Sequence, residues 1–334
     1  MPHPRDILIG AQAAAAYLPV CDHYSGVEAR MRKSLQLQAD MLDEFGACVF
    51  DVTLDCEDGA PTGGEADHAA MVVALVALAK AKAKVRVAVR VHAVGHPAFE
   101  SDVSTIAGKV GDQLSHIMVP KVESVGDVGK VVDALANAGA DHLPIHVLIE
   151  SPAAVHRAFE IAAHPRVQSL SFGLMDFVSS HGGAIPAQGM ASQTDTNTGR
   201  LGQFSHPLVL RAKLEIASAC HANGKTPSHC VVTEFNDANA VTMAARRAYH
   251  ELGYTRMWSI HPNQIRPILA AFAPTDGDIE DATKIIAAGA REDWAPISFE
   301  GKLHDRASYR YYWQVLERAH RTGQVLPPES QLYF

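Results

Sequence analysis

Short runs of β-branched and apolar residues alternate with longer stretches of helical spacing along most of this chain. Five runs read as buried parallel strands: Cys48–Leu54, Val85–Val91, Ile117–Val119, Ile145–Ile149 and Val167–Phe172. Two weaker runs follow at Cys230–Val232 and Met257–Ile260. Between them, Val27, Met31, Leu35, Leu42 and Phe45 fall on one helical stripe, and Val128, Val131, Val132 and Leu135 on another behind a Ser124–Asp127 capping pair. Ser151-Pro152 is an N-cap followed by a proline suited to a first helical position, with Val155 and Phe159 continuing the stripe. Asp237 is placed to cap a helix carrying Val241, Ala245, Ala248 and Leu252.

Strands that alternate with helices build βαβ units and a parallel sheet. With an eighth strand near Ile7–Ile9 or Tyr17–Val20, the count closes a (β/α)₈ TIM barrel rather than a doubly wound sheet. The barrel is expected over residues 1–275, and residues 276–334 are expected to form a C-terminal helical extension packing on a neighbouring subunit.

Catalytic groups of such barrels stand where the strands end at their C-terminal side. The polar residues following each run are Asp55, Glu57 and Asp58, then Arg90 and His92, Lys121, Glu150, Asp176 and His261. Glu150 and Asp176 lie one βα step apart, and two carboxylates converging there suit a hard divalent cation that leaves positions for water and substrate. Alternatively each caps the next helix or pairs with an arginine. Arg90, on an apolar strand, needs a carboxylate or an anionic substrate group as partner. It either orients keto-acid oxygens or makes a salt bridge to Glu57 or Asp58. Lys121 raises a metal-free Schiff-base aldolase against simple pairing with an acid. His261, before a proline, reads as a histidine fixing its loop or as a substrate contact.

The sequence has 29 Lys+Arg against 37 Asp+Glu, a net charge of −8, which argues against nucleic acid or an anionic membrane as partner. The longest apolar run, Ala69–Ala79, is too short to cross a bilayer, which takes about 20 residues. Five scattered cysteines without a CxxC fit a reducing cytoplasm. The apolar stretch Ala11–Val20 has only Arg5 before it, offset by Asp6, so a secretory signal is not expected. There is no P-loop, GxGxxG or G-x-S-x-G motif.

Eight segments, in order, carry a family resemblance: LDCEDGAP (54–61), VRVH (89–92), MVPKVES (118–124), HVLIESPAAV (146–155), LSFGLMD (170–176), ELGYTRMWSIHPNQI (251–265), LAAFAPTDGDIEDA (269–282) and GKLHD (301–305). The chain resembles the citrate lyase β-subunit/malyl-CoA lyase group of the HpcH/HpaI aldolase superfamily. The resemblance implies a (β/α)₈ barrel with C-terminal helices, assembled as a homotrimer or homohexamer. It also implies Mg²⁺-dependent cleavage of a malyl-, citramalyl- or citryl-type coenzyme A thioester to an acyl-CoA and a 2-keto acid, with Mn²⁺ an acceptable substitute. By motif, Glu150 and Asp176 fall on the metal ligands and Arg90 on the arginine that contacts the keto acid. Lys121, Gly173, Met175 and His261 stand with Arg90 at substrate-binding positions. Glu57 and Asp58 occupy the acidic pair that supports the arginine and metal-bound water. Asp305 falls on an aspartate brought from the neighbouring subunit for proton transfer.

Three departures accompany the match. Arg256-Met257 stands where the family has glycine and lysine, GGEADHAA carries no lysine after the acidic motif, and His92 replaces an asparagine. They leave open a metal-dependent aldolase acting on a free hydroxy or keto acid. A non-catalytic metabolite-binding subunit of a lyase complex is a third reading.

Overall fold

Eight parallel strands close into a barrel in the computed structural model, which describes residues 3–10, 18–79 and 85–334. A short helix α1 (Pro4–Leu8) precedes β1 (Cys21–Ser25), α2 (Glu28–Phe45), β2 (Phe50–Asp55), α3 (Glu65–Ala79) and β3 (Val87–Arg90). Then come α4 (Phe99–Val110), β4 (Ile117–Val119), α5 (Val125–Asn137), β5 (Ile145–Ile149), α6 (Pro152–His156) and α7 (Ala158–Ala163). β6 (Val167–Phe172), α8 (Leu174–Ser179), α9 (Pro207–Ala222), β7 (Thr226–His229), α10 (Ala238–Leu252) and β8 (Arg256–Ser259) complete the barrel. Beyond it lie α11 (Pro262–Phe272), α12 (Asp276–Arg291), the hairpin β9 (Ile297–Phe299) and β10 (Lys302–His304), α13 (Arg306–Arg321) and α14 (Pro328–Gln331). β1 pairs with both β2 and β8, which closes the ring.

The helices begin where the sequence provides caps. Ser124 Oγ accepts the Asp127 amide at 3.3 Å, Ser151 Oγ accepts that of Ala154 at 3.0 Å, and Asp237 takes two amides at the start of α10. The stripe expected through Phe159 breaks at Arg157, which ends α6, and Phe159 is exposed on α7. Gly46 and Gly253 close α2 and α10 at φ of 66° and 73°, a conformation that costs residues with a Cβ.

Side chains alternate across each strand, and the two faces have different chemistry. The outward face supplies Val52, Leu54, Val87, Val89, Ile145, Val147 and their neighbours to the main apolar core beneath the helices. Much of the inward face is polar. Arg256 is fully buried inside and donates to Asp22 and Asp51, both at 2.7 Å, while Thr53 donates to Asp22. His116 and His146 stack in the same layer, with ring centroids 3.5 Å apart and planes at 15°. Burial and the Arg256 charge push His146 down to about 3, so both rings sit neutral among the ion pairs. Asp22, His116 and His146 here bring one potential ligand atom each to within 4.8 Å of one another. A separate small apolar layer above it consists of Tyr24, Met118, Leu148 and Trp258.

Two strands lie away from their expected places. The seventh is Thr226–His229, not Cys230–Val232, and the remaining strand is Cys21–Ser25, not Ile7–Ile9 or Tyr17–Val20. Ile7–Ile9 instead runs through the end of α1, and residues 11–17, most of the apolar stretch weighed as a signal, lie outside the described residues. α12, α13 and the hairpin enclose a second apolar cluster around Trp313, Tyr309, Ile286 and Leu316. Leu8 of α1 belongs to this cluster, and Arg5 meets Glu317 of α13 at 3.4 Å, so the chain's first helix packs with its last segment. Among the described residues no helix is long and apolar enough to cross a membrane.

Candidate active site

The barrel mouth gathers ionisable groups from the ends of β2 to β6. The strand register sets Asp55 directly beside Arg90. The Arg90 guanidinium forks onto that carboxylate, Nε to Oδ1 at 2.7 Å and a terminal nitrogen to Oδ2 at 2.5 Å, and its other nitrogen meets Glu57 at 3.2 Å. Burial works against the charge, and the Asp55 and Glu57 carboxylates outweigh it and hold Arg90 firmly protonated. Asp55 itself is fixed by the amides of Glu57 at 3.0 Å and Gly59 at 2.9 Å.

The support for Arg90 therefore differs from the expected Glu57–Asp58 pair. Asp55, the last inward residue of β2, carries the bidentate contact, while Asp58 is exposed and turns to Lys121. The Lys121 ammonium bridges Glu57 and Asp58. Burial lowers its proton affinity, but the Glu57 hydrogen bond and charge more than compensate and raise it above the ordinary lysine range. An amine kept protonated between two carboxylates is a poor nucleophile, which argues against the Schiff-base alternative. Lys121 also takes the left-handed backbone conformation, φ 54°, and its amide donates to Glu150 Oε2 at 3.0 Å.

Glu150 follows β5 and is buried. Its second oxygen stands over Gly173, where a Cβ would come within 2.5 Å of Oε1 and 2.8 Å of the carboxyl carbon. Glycine after β6 is thus required by the Glu150 carboxylate itself. Asp176, in the first turn of α8, is half-buried, as is the adjacent Met175. Burial, then the charge of Asp176, push the Glu150 carboxyl up to about 8. Two carboxylates pressing on one another in a buried setting are what a divalent cation relieves, and an oxygen-only pair with room for water and substrate fits Mg²⁺ or Mn²⁺.

Arg90, Asp55 and Asp58 also line a cavity of about 740 Å³ that runs past Tyr24 and Trp258 to α2 and the start of α11. His261 caps α11, its Nδ1 accepting the Asn263 amide at 3.2 Å, and its ring stacks on Phe235 with centroids 5.0 Å apart. It is therefore both the loop-fixing histidine and part of the cavity wall. Asp305 stands elsewhere. It is exposed on the extension and caps α13, accepting the Ala307 and Ser308 amides at 2.9 and 3.2 Å.

Residues 35–262 match the family model for HpcH/HpaI aldolase/citrate lyase. The chain belongs to the HpcH/HpaI aldolase/citrate lyase family. A citrate lyase structure from Burkholderia xenovorans LB400 is 45% identical with a TM-score of 0.77, covering 99% of each chain. The L-malyl-CoA/β-methylmalyl-CoA lyase of Cereibacter sphaeroides is 30% identical over 84% of this chain and 90% of that protein. A citrate lyase subunit β-like protein of Deinococcus radiodurans is 31% identical over 80% of this chain and 89% of its own length.

The departures from the family pattern have definite places in this member. Met257 is buried on the outward face of β8, and Arg256 is spent inside the barrel between Asp22 and Asp51. Neither reaches the mouth cavity. His92 is buried two residues beyond Arg90, with Nδ1 against Asp102 of α4 at 2.6 Å and its ring stacked on His96. Of the three acids at the end of β2, Asp55 takes the bidentate contact that the motif assigned to Glu57 and Asp58. Its signal is its position as the final residue of the VFDVTLD run.

Proposed function

We propose that this protein is a Mg²⁺-dependent carbon–carbon lyase. It would cleave a 3-hydroxyacyl-CoA of the malyl, citramalyl or citryl type into an acyl-CoA and a 2-keto acid. The observation that carries the reading is the buried Glu150 carboxylate, raised by the Asp176 charge, beside a guanidinium oriented by Asp55 and Glu57. Family membership and relatives named as malyl-CoA lyases support it.

Retro-aldol cleavage requires loss of the 3-hydroxyl proton, polarisation of the departing carbonyl and stabilisation of an enolate. Mg²⁺ held by Glu150 and Asp176 would supply Lewis-acid polarisation of the keto-acid oxygens. Arg90 adds a fixed positive charge at the same place, and its two carboxylate partners set its direction before substrate arrives. Glu57 and Asp58 hold Lys121, whose amide fixes one Glu150 oxygen. Asp305 is the candidate proton-transfer group. As the family resemblance implies, it would act at the mouth of a neighbouring copy within a homotrimer or homohexamer.

Glu150→Gln or Asp176→Asn should abolish Mg²⁺ binding by calorimetry and cleavage of malyl-CoA and citramalyl-CoA. Full activity in either variant, or in excess chelator, would sink the proposal. Free malate and citramalate assayed in parallel distinguish a CoA-independent aldolase. A wild-type chain that binds neither Mg²⁺ nor pyruvate would instead be the non-catalytic subunit.

A further inference from the structure

The lower end of the barrel holds a second group of ligand-type side chains, well beneath the mouth. His146 lies four residues before Glu150, about 13 Å along an extended strand. The apolar layer of Tyr24, Met118, Leu148 and Trp258 separates the two levels. Asp22, His116 and His146 are all fully buried, and one ligand atom from each lies within 4.8 Å of the others. His116 Nε2 and His146 Nδ1 have no hydrogen-bond partner among the described residues, and His116 Nε2 stands 3.9 Å from Asp22 Oδ2.

The partners behind the two rings decide where their hydrogens go. Ser115 Oγ donates to the Val87 carbonyl at 3.0 Å, so at its 3.2 Å contact with His116 Nδ1 it must accept. His116 therefore carries its proton on Nδ1 and leaves Nε2 a bare lone pair. Gln168 Oε1 stands 2.9 Å from His146 Nε2 and can only accept, which leaves His146 Nδ1 bare as well. Burial keeps both imidazoles neutral. Two lone pairs thus stand beside a carboxylate with no donor of their own, and a buried acceptor in that state is costly. A hydrogen-bond acceptor behind each ring is the arrangement that orients histidine ligands on a metal. Arg256 holds Asp22 Oδ2 at 2.7 Å, but a carboxylate oxygen has a second lone pair to offer. Asp22 and Asp51 balance Arg256 and Arg86 in this layer, so the nitrogen donors rather than net charge decide which ion fits. Imidazole nitrogens suit zinc-like ions, whereas the oxygen-only pair at the mouth suits Mg²⁺.

We propose that Asp22, His116 and His146 form a structural zinc site inside the barrel, tying β1 to β4 and β5 and separate from the carboxylate pair at the mouth. Bonds of about 2.0–2.2 Å set ligand atoms on a tetrahedral zinc about 3.4 Å apart. The 3.9 Å His116–Asp22 contact therefore draws in by about half an ångström, and the stacked rings open slightly toward the ion. The site does not depend on the lyase reading.

The full chain, stripped with chelator and dialysed against Zn²⁺ in excess Mg²⁺, should retain one Zn²⁺ per chain by elemental analysis. Zinc-edge X-ray absorption should show imidazole scattering, with first-shell distances of about 2.0–2.1 Å. Gln168→Leu, which removes only the partner behind His146, should weaken Zn²⁺ by about 10- to 100-fold, and His146→Gln, which removes a ligand, by more. Zn²⁺ should raise the unfolding temperature of the wild type by a few degrees and leave that of His146→Gln unchanged. No retained Zn²⁺, a spectrum of oxygen ligands alone, or equal retention by folded His146→Gln would each overturn the site. The wild-type spectrum decides the matter where a variant does not fold. A wild type that retains zinc on imidazoles yet binds no Mg²⁺ would remove the lyase reading alone.

Discussion

A glycine with an ordinary backbone conformation is easily overlooked, yet Gly173 makes room for Glu150 of the proposed metal pair. A Cβ there would come within 2.4 Å of Glu150 Cγ and 2.5 Å of its Oε1, against that side chain rather than against backbone. Gly173→Ala should therefore leave the barrel folded, because the added methyl meets one movable carboxylate. It should weaken Mg²⁺ by about 10- to 100-fold, as disturbances around metal ligands do. Calorimetry and thermal unfolding side by side check this, and unchanged Mg²⁺ affinity would refute it. At this scale the sequence was informative for identity and less so for partnership. Asp55, Arg90 and Glu150 each close or follow an apolar run. Nothing in LDCED, however, says that Asp55 rather than Asp58 will meet Arg90, since that depends on the β2–β3 register. The same limit applies to Arg256. It stands where the family has glycine, and the inward turn of its side chain makes it a structural ion-pair partner.

Between the proposed metal ligand Asp176 and α9 runs a connection, residues 180–206, whose only helical turn is Ala187–Met190. Lys213 of α9 anchors it from beneath. The fully buried ammonium donates to Gln203 Oε1 at 2.5 Å and His229 Nε2 at 2.8 Å and lies 3.9 Å over the Phe204 ring. Among the described residues no carboxylate is paired with it, and burial pulls its affinity for a proton down to about 8 from 10.5. In the unfolded chain the amine keeps its proton up to 10.5, so between about 8 and 10.5 the unfolded state binds more protons. Native stability carried by this group must then rise with pH across that window. Urea unfolding of wild type and Lys213→Met at several pH values tests it. The wild type should gain on the variant from pH 8 to pH 10.5, and a flat or falling difference would contradict the assignment. Elements of this polar kind are also where sequence reading failed. β1 reads CDHYS and β7 reads TPSH, because their inward residues join ion pairs and hydroxyl layers and their outward ones are not aliphatic runs. The strands found from sequence are those whose outward faces are Val, Ile and Leu.

The molecule as a whole separates its reaction centre from its proposed proton-transfer group. Arg90, Glu150 and Asp176 end strands of the barrel, whereas Asp305 begins α13, beside the second apolar cluster that α1 also joins. Its Oδ1 is engaged in capping, and its exposed position makes it available to another copy. Loss of the cap alone should cost about 1 kcal/mol of stability, so Asp305→Asn, which still accepts the amides, isolates the catalytic role from the structural one. If the active site is shared, Asp305→Asn oligomers should be inactive yet bind Mg²⁺ normally, and Glu150→Gln oligomers should be inactive for want of the metal. Dissociated and reassembled together, the two should regain activity. In a mixed assembly some interfaces join an intact metal pair on one copy to an intact Asp305 on the next. The measurement is cleavage of malyl-CoA by the mixture against each variant alone. Recovery well above both places the aspartate in trans. An inactive mixture whose hybrid composition is verified by native mass spectrometry would rule that out, as would full activity of Asp305→Asn on its own.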